Sequence, residues 1–529
     1  MTFKELQRLY ATKRINRRDF LAGAAAIGAL GAASTVGLPF PAMAAPSKGG
    51  HMRIGMGTGS TSDTLDPATF DTTFNQVLGY GTLRNSLTEV TPDGQLGPEL
   101  AESWEASPDA KVWTFKLREG VEFHSGKTMT AADVIASINH HRGENSQSAA
   151  KPLLAAIEDI KADGDYTVVV TLSAGNADFP FYMTDYHLAI LPSDGEGNVD
   201  ATSGDGTGPY KLEAFEPGVS AMTSRFENYF KGDDRQHLDS FEMLVLTDTA
   251  ARTNAMTTGE IDYMERADLK TVHLLKNRPG VEVLEVTGTQ HYTMPMLTDV
   301  DPFSSNDTRL ALKYAIDRED LLAKVLRGYG AVGNDHPIAT ANRYHADIEQ
   351  RAYDPDKAKF HAKKAGLENV EINLSAADAA FAGAVDAAVL FKEHAAAAGI
   401  NVNVVREPND GYWSDVWMKK PFCMCYWGGR PTEDQMFTTA YAEGVPWNDT
   451  NWSNERFNNL LTEARALLDE ARRAEIYAEM QQIVRDDGGT IVPLFASYVD
   501  AHTDGLAHDT VGANYALDGF KIAERWWKA

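Results

Sequence analysis

Beyond residue 45 the chain alternates short β-branched runs with capped helical stretches, and this alternation limits the possible folds more than any other feature. Residues 52–55 read as a first strand after the Lys48-Gly49-Gly50 turn. Residues 112–117 alternate with period two, as a half-buried strand does, and 166–172 are rich in Val and Thr. Thr130 and Asp133 have the spacing of a capping box, with Val134, Ile135 and Ile138 following at helical intervals. A helix is expected over 309–315. Asp317 caps the next helix and Gly328 stops it. Phe457 to Leu468 and Ile476 to Val484 mark two late helices, the second closed by Gly488-Gly489. Strands and helices mixed in this way predict an α/β protein with mixed sheets and flanking helices.

The first 44 residues read differently. Lys4, Arg8, Lys13, Arg14, Arg17 and Arg18 precede an uncharged Ala- and Gly-rich run that closes on Ala42-Met43-Ala44. A basic segment, an apolar segment and a small-x-small site describe an export signal, expected to be removed. Asn16-Arg17-Arg18-Asp19-Phe20-Leu21 resembles a twin-arginine signal, which implies export of a folded chain to the periplasm. No later stretch approaches the ~18 apolar residues a spanning helix needs.

Composition excludes several classes. The net charge is −26, so the basic footprint of a nucleic-acid binder is missing. Two cysteines, Cys423 and Cys425, cannot build a disulfide framework, and without nearby histidines they make a poor metal site. They read as buried apolar side chains. Gly55, Gly57 and Gly59 lack the dinucleotide spacing, and no phosphate loop, zinc helix or serine elbow occurs. Catalysis, a cofactor and a resident metal are therefore not expected. Ser193 to Gly208, with five glycines, reads as a flexible boundary, and 288–305 as a second.

Several segments resemble, in order, the dipeptide/oligopeptide-binding family of solute-binding proteins that serve ATP-driven importers. They are Leu100-Ala101-Glu102-Ser103-Trp104, the run from Trp113 to Lys127, Gly206-Thr207-Gly208-Pro209-Tyr210, Gly259-Glu260-Ile261-Asp262, residues 309–318 and Tyr353-Asp354-Pro355. The resemblance implies a two-lobed periplasmic-binding-protein fold of type II, with an extra domain in lobe one and a hinge. The expected division is a signal at 1–44, lobe I at 45–80, 205–287 and 497–529, an extra domain at 81–204, and lobe II at 288–496. It also implies a monomer that closes on a small peptide-like or anionic solute and docks on an inner-membrane ABC permease. An opine, a sugar phosphodiester, a metal chelate or haem is the alternative ligand.

Candidate ligand contacts centre on residues 422–434, a buried strand running into a Gly428-Gly429 loop. Strand ends followed by glycine are where α/β clefts form and backbone approaches a ligand. Peptide-binding relatives typically carry an Asp shortly after Trp427, which pairs with the ligand's ammonium group. This chain has Arg430 there, suited to a carboxylate or phosphate, or else to an internal pair with Glu433 or Asp434. Asp434 could also serve an amine. Tyr412, Trp413, Tyr426 and Trp427 are candidate aromatic walls, with core packing as the competing role. His291 and Tyr292 could line the cleft or form a hinge strand, and Thr61 could donate a hydroxyl from the loop after the first strand.

Overall fold

The computed structural model describes residues 46–529 except 145, 147, 149, 368, 369 and 409–411. The export segment, Met1–Ala45, and the Asn409-Asp410-Gly411 turn lie outside the described residues. Among the described residues no helix is long and apolar enough to cross a membrane.

A nine-stranded sheet organises the molecule. Its order is Cys425–Trp427, Val281–Pro295, Thr490–Thr503, Tyr263–Met264, His51–Met56, Ser240–Val245, Ser220–Arg225 and Tyr210–Glu216, with Gly330–Val332 also paired to Thr490–Thr503. The His51–Met56 strand is parallel to both its neighbours and the other pairings are antiparallel. Met52, Ile54 and Met56 point into one core with Phe74, Leu78, Phe241 and Trp526.

The two long strands carry the sheet from one part of the molecule to the other. Val281–Thr287 pairs with Ser497–Thr503, then the register shifts and His291 faces Phe495. Gly288 sits in this break because its backbone runs against the 513 carbonyl: an added Cβ would stand 2.3 Å from the Ala513 oxygen. On one side of the break the Tyr263–Met264 strand pairs with Ala501 and His502, and on the other the Cys425–Trp427 strand pairs with 291–293. A local bulge thus separates two halves of a continuous ribbon.

Beyond the break a second core forms around Ile372, Leu374, Phe391, Phe422 and Ile491, and a third around Phe437, Phe457, Leu460, Tyr477 and Met480. The parallel pair Glu371–Ala376 and Asn401–Arg406 is crossed by the Ala384–Ala397 helix, a βαβ unit. A separate antiparallel sheet of 101–106, 112–117, 167–172 and 157–162 has its own core of Trp113, Phe115, Leu117, Val168, Val170 and Leu172. The Ala131–His140 helix covers it, capped by the expected Thr130–Asp133 box. The mixed sheets and flanking helices are those of an α/β chain.

Three expectations need correction. The helix capped by Asp317 is Arg318–Lys324, which ends short of Gly328. The glycines ending 193–208 are not a flexible joint. A Cβ at Gly206 would stand 2.2 Å from the Leu83 oxygen and one at Gly208 2.4 Å from the Thr82 oxygen, so these glycines permit close backbone packing. Only the turn around Gly195 and Gly197 stands in open space. Leu468 is not part of the helix it was assigned to. That helix is Glu455–Ala466, and Leu468 is exposed beyond it.

Candidate functional site

The loop leaving the Cys425–Trp427 strand is shaped by two local constraints. Gly429 passes directly over the hinge ribbon: a Cβ there would lie 1.5 Å from Thr289 Oγ1. Its missing side chain makes room for Thr289, so the sequence reading of this glycine as room for ligand is corrected. Thr432 then ends the loop, its hydroxyl accepting the Gln435 N–H at 3.2 Å and starting the Glu433–Ala440 helix.

Arg430 stands between these two fixed points, half-buried. Its Nη1 donates to the Gly428 and Gly429 carbonyls, both at 3.1 Å. Among the described residues no carboxylate oxygen lies within 4.0 Å of its guanidinium, and the internal pair with Glu433 or Asp434 is not formed. Arg430, Thr289 and Asn342 line a crevice of about 150 Å³ whose other wall is Val90–Gly94, Ala513 and Asn514. Asp93 lies on that wall, with its Oδ1 accepting the Thr91 hydroxyl at 2.5 Å. Asp185 is an electrostatic neighbour of Arg430 but is bonded to His187 Nδ1 at 2.6 Å.

Both Glu433 and Asp434 are engaged elsewhere. Glu433 Oε1 accepts the Tyr344 N–H at 2.7 Å, and burial pushes its carboxyl up to about 7. Asp434 is fully buried, 3.0 Å from Arg465 Nε, and accepts the Tyr182 hydroxyl at 2.7 Å. Tyr182 belongs to the core of the four-stranded sheet, so this bond ties that sheet's unit to the Glu433–Ala440 helix. Asp178 and Arg473, both buried, form a second tie at 2.5 Å, and Ala177 N–H donates to the Arg465 carbonyl at 2.7 Å. Asp434 is a structural anchor here, a correction to its reading as a ligand contact.

The aromatic candidates divide by strand face. Tyr426 and Trp413 are 40% and 41% exposed, with ring centroids 5.6 Å apart. Trp427 points the other way into the helical core, and its indole, like that of Trp417, donates to Asp449 at 3.1 Å. Tyr412 is buried, its hydroxyl donating to the Met424 carbonyl at 2.7 Å. Both are core residues, and this corrects their reading as cleft walls. His291 is fully buried against Phe495, with Nδ1 3.0 Å from the Thr289 carbonyl, and burial lowers its pKa to about 4. It is part of the ribbon, not of an exposed wall. Tyr292 is half-buried and stacks on Phe381 at 3.7 Å. Thr61 is exposed on the loop after the first strand, whose Ser60 backbone is braced by Gly218. Cys423 and Cys425 are buried free thiols held protonated by desolvation.

One further exposed cation carries no sequence motif. Arg266 follows the Tyr263–Met264 strand with φ of 55°, its N–H donating to Asp500 at 2.8 Å and its Nε to Glu265 at 3.1 Å. Its side chain is 60% exposed, and Tyr426, Tyr498 and Tyr292 are its electrostatic neighbours. Its only sequence signal is its place just after the Gly259–Asp262 segment.

A carboxylate trio, Glu89, Glu99 and Glu524, has metal-like spacing, but ammonium groups fill it. Lys231 lies 3.1, 3.1 and 2.9 Å from the three, and Lys521 pairs with all of them.

The sheet order, the bulged ribbon and the crevice across it define a two-lobed α/β binding protein of type II. Residues 95–449 match the model of the bacterial extracellular solute-binding proteins, family 5, and the chain belongs to that family. It is therefore a solute-binding component of an ABC importer. Haem-binding protein A of Haemophilus influenzae is 26% identical over 430 residues, covering 74% of this chain and 77% of that one. The dipeptide-binding protein of Escherichia coli is 23% identical, covering 82% and 85%. The structure of the periplasmic binding protein AgaA from A. tumefaciens R10, in complex with agropinic acid, superposes with a TM-score of 0.75 at 24% identity, over 91% of this chain and 99% of that one.

Proposed function

We propose that this protein captures a small anionic solute, held by Arg430 between two lobes that close at the register break. The observation that carries the reading is a guanidinium on a crevice wall, steered by two carbonyls of its own loop and paired with no carboxylate among the described residues. Burying a charge without a partner is costly, so such a group is retained at a partly open wall where a ligand supplies the partner. A guanidinium repels an ammonium, which argues against free-amine peptides and for an acidic peptide, an opine or a phosphodiester. Tyr426 and Trp413 supply exposed aromatic surface for the solute's apolar part.

In this reading lobe I comprises 45–80, 205–287 and 497–529, lobe II 288–496, and 81–204 the extra domain. Closure shifts a population between open and closed forms, because contacts to both lobes exist only when closed. The closed monomer then docks on an inner-membrane permease, and residues 1–44 act as a twin-arginine-type export signal to the periplasm. The test begins with the small molecules released by denaturing protein purified from its native periplasm, identified by mass spectrometry. Titrated back by calorimetry, the compound is expected to bind Arg430→Ala at least ~10-fold more weakly than wild type, as loss of a charge-assisted pair implies. Equal affinity would refute the assignment.

A further inference from the structure

We propose that Arg266 is a second anion-binding residue of the same cleft, so that the solute carries two anionic groups and bridges the hinge with them. The inference rests on the reading of Arg430 given above and narrows the solute class.

The geometry of Arg266 is that of a presented side chain. Its backbone N–H and its Nε are fastened to Asp500 and Glu265, at 2.8 and 3.1 Å. Glu265 is itself fully buried, with its other oxygen accepting the Gly57 N–H at 2.7 Å. One edge of the guanidinium is thereby fixed against a buried carboxylate. On the other edge Nη2 has only a 3.5 Å approach to the Thr73 hydroxyl, and Nη1 has no partner among the described residues. Neighbouring Arg252 is the contrasting case: it is buried, and its donors end on the carbonyls of residues 246, 247, 265 and 266.

Arg266 has the exposed Tyr426 as an electrostatic neighbour, and Tyr426 stands on the strand that leads into the Arg430 loop. The two cations hang from opposite halves of the ribbon. Arg266 follows the strand paired to 501–502, and Arg430 follows the strand paired to 291–293. A solute with one anionic group can neutralise either cation. A solute with two can engage both, and only when the halves approach, which couples recognition to closure.

The test uses α,ω-dicarboxylates of four to eight carbons and their monomethyl esters, titrated by calorimetry into wild type, Arg266→Gln, Arg266→Lys and Arg430→Ala. In the wild type one chain length is expected to bind at least ~10-fold more tightly as the diacid than as the ester, the worth of one charge-assisted contact. Arg266→Gln is expected to reduce that ratio to within about twofold. Arg266→Lys, which keeps a cation beside Glu265 but loses the planar fork, should retain part of the preference and guards against a folding defect. The proposal is overturned if no length shows a preference in the wild type, or if Arg266→Gln preserves it. If Arg430→Ala weakens diacid and ester alike while Arg266→Gln leaves their ratio unchanged, the second site fails and the anionic reading stands. If Arg430→Ala changes neither, the reading itself fails.

Discussion

Arginine plays two roles in this molecule, and the contrast separates scaffold from site. Arg84, fully buried, directs its donors to the carbonyls of Leu65, Ala201 and Asp205 at 2.6–3.2 Å. Arg318 and Arg351 share the buried Asp335 at 2.6 and 2.8 Å, and Arg473 meets Asp178. In each case burial is offset by carbonyls or a carboxylate of the chain itself, although the Nε of Arg318, Arg351 and Arg473 makes no hydrogen bond. Arg430 is half-buried and Arg266 exposed, and each keeps a guanidinium nitrogen without a partner among the described residues. The scaffold arginines are buried against partners from within the chain, whereas Arg430 and Arg266 hold donor nitrogens at accessible positions, where the proposed solute is their partner from outside.

The contrast can be tested by removing one member of each class. Arg473→Ala should have the largest effect on stability, because it leaves Asp178 buried without its cation. A loss of about 3–5 kcal/mol is expected in urea unfolding. The unit of the four-stranded sheet should also loosen from the helices it is tied to, seen as a larger radius of gyration in small-angle scattering.

Glu433 tests the same layer through pH. Its folded-state carboxyl titrates near 7, above the ordinary carboxylate value, because burial disfavours its charge. Its neutral form stabilises the fold below about pH 4.5, and that contribution is lost as pH rises through 7. Glu433→Gln cannot ionise and keeps an oxygen for the Tyr344 N–H. Its stability relative to wild type should therefore rise by up to about 3 kcal/mol between pH 4.5 and 8. A constant difference across that range would show that Glu433 does not titrate in the fold.

The smallest stability effect is expected for Arg430→Ala, within about 0.5 kcal/mol of wild type without ligand, since its carbonyl partners are loop groups. A large loss would place Arg430 with the scaffold and erase the distinction.

Much of the scaffold was legible in the sequence because local rules agree with tertiary packing there. The period-two run at 112–117, the Val- and Thr-rich run at 166–172, the Thr130–Asp133 cap and the Gly488 stop all coincide with elements of the structure. The site was less legible, for physical reasons. Gly429 is a glycine because of Thr289, 140 positions away in the chain, and no local pattern records that contact. The alternation that sends Tyr426 outward and Trp427 into the core follows from register with 291–293, which composition cannot fix. The setting of Arg266 was not legible because it depends on Glu265 being buried and bonded to the Gly57 N–H, far away in the chain, not on spacing. Arg430 drew attention in the sequence because it departs from the residue type the resemblance leads one to expect at that position, and the structure leaves its guanidinium without a carboxylate among the described residues.

The most direct measurement is native mass spectrometry of the intact protein isolated from its own periplasm, wild type beside Arg430→Ala. A stoichiometric adduct whose released molecule is an anion, present on the wild type and missing from the variant, is what the unpaired guanidinium requires. A neutral or cationic adduct, or an anionic one retained equally by the variant, would contradict it.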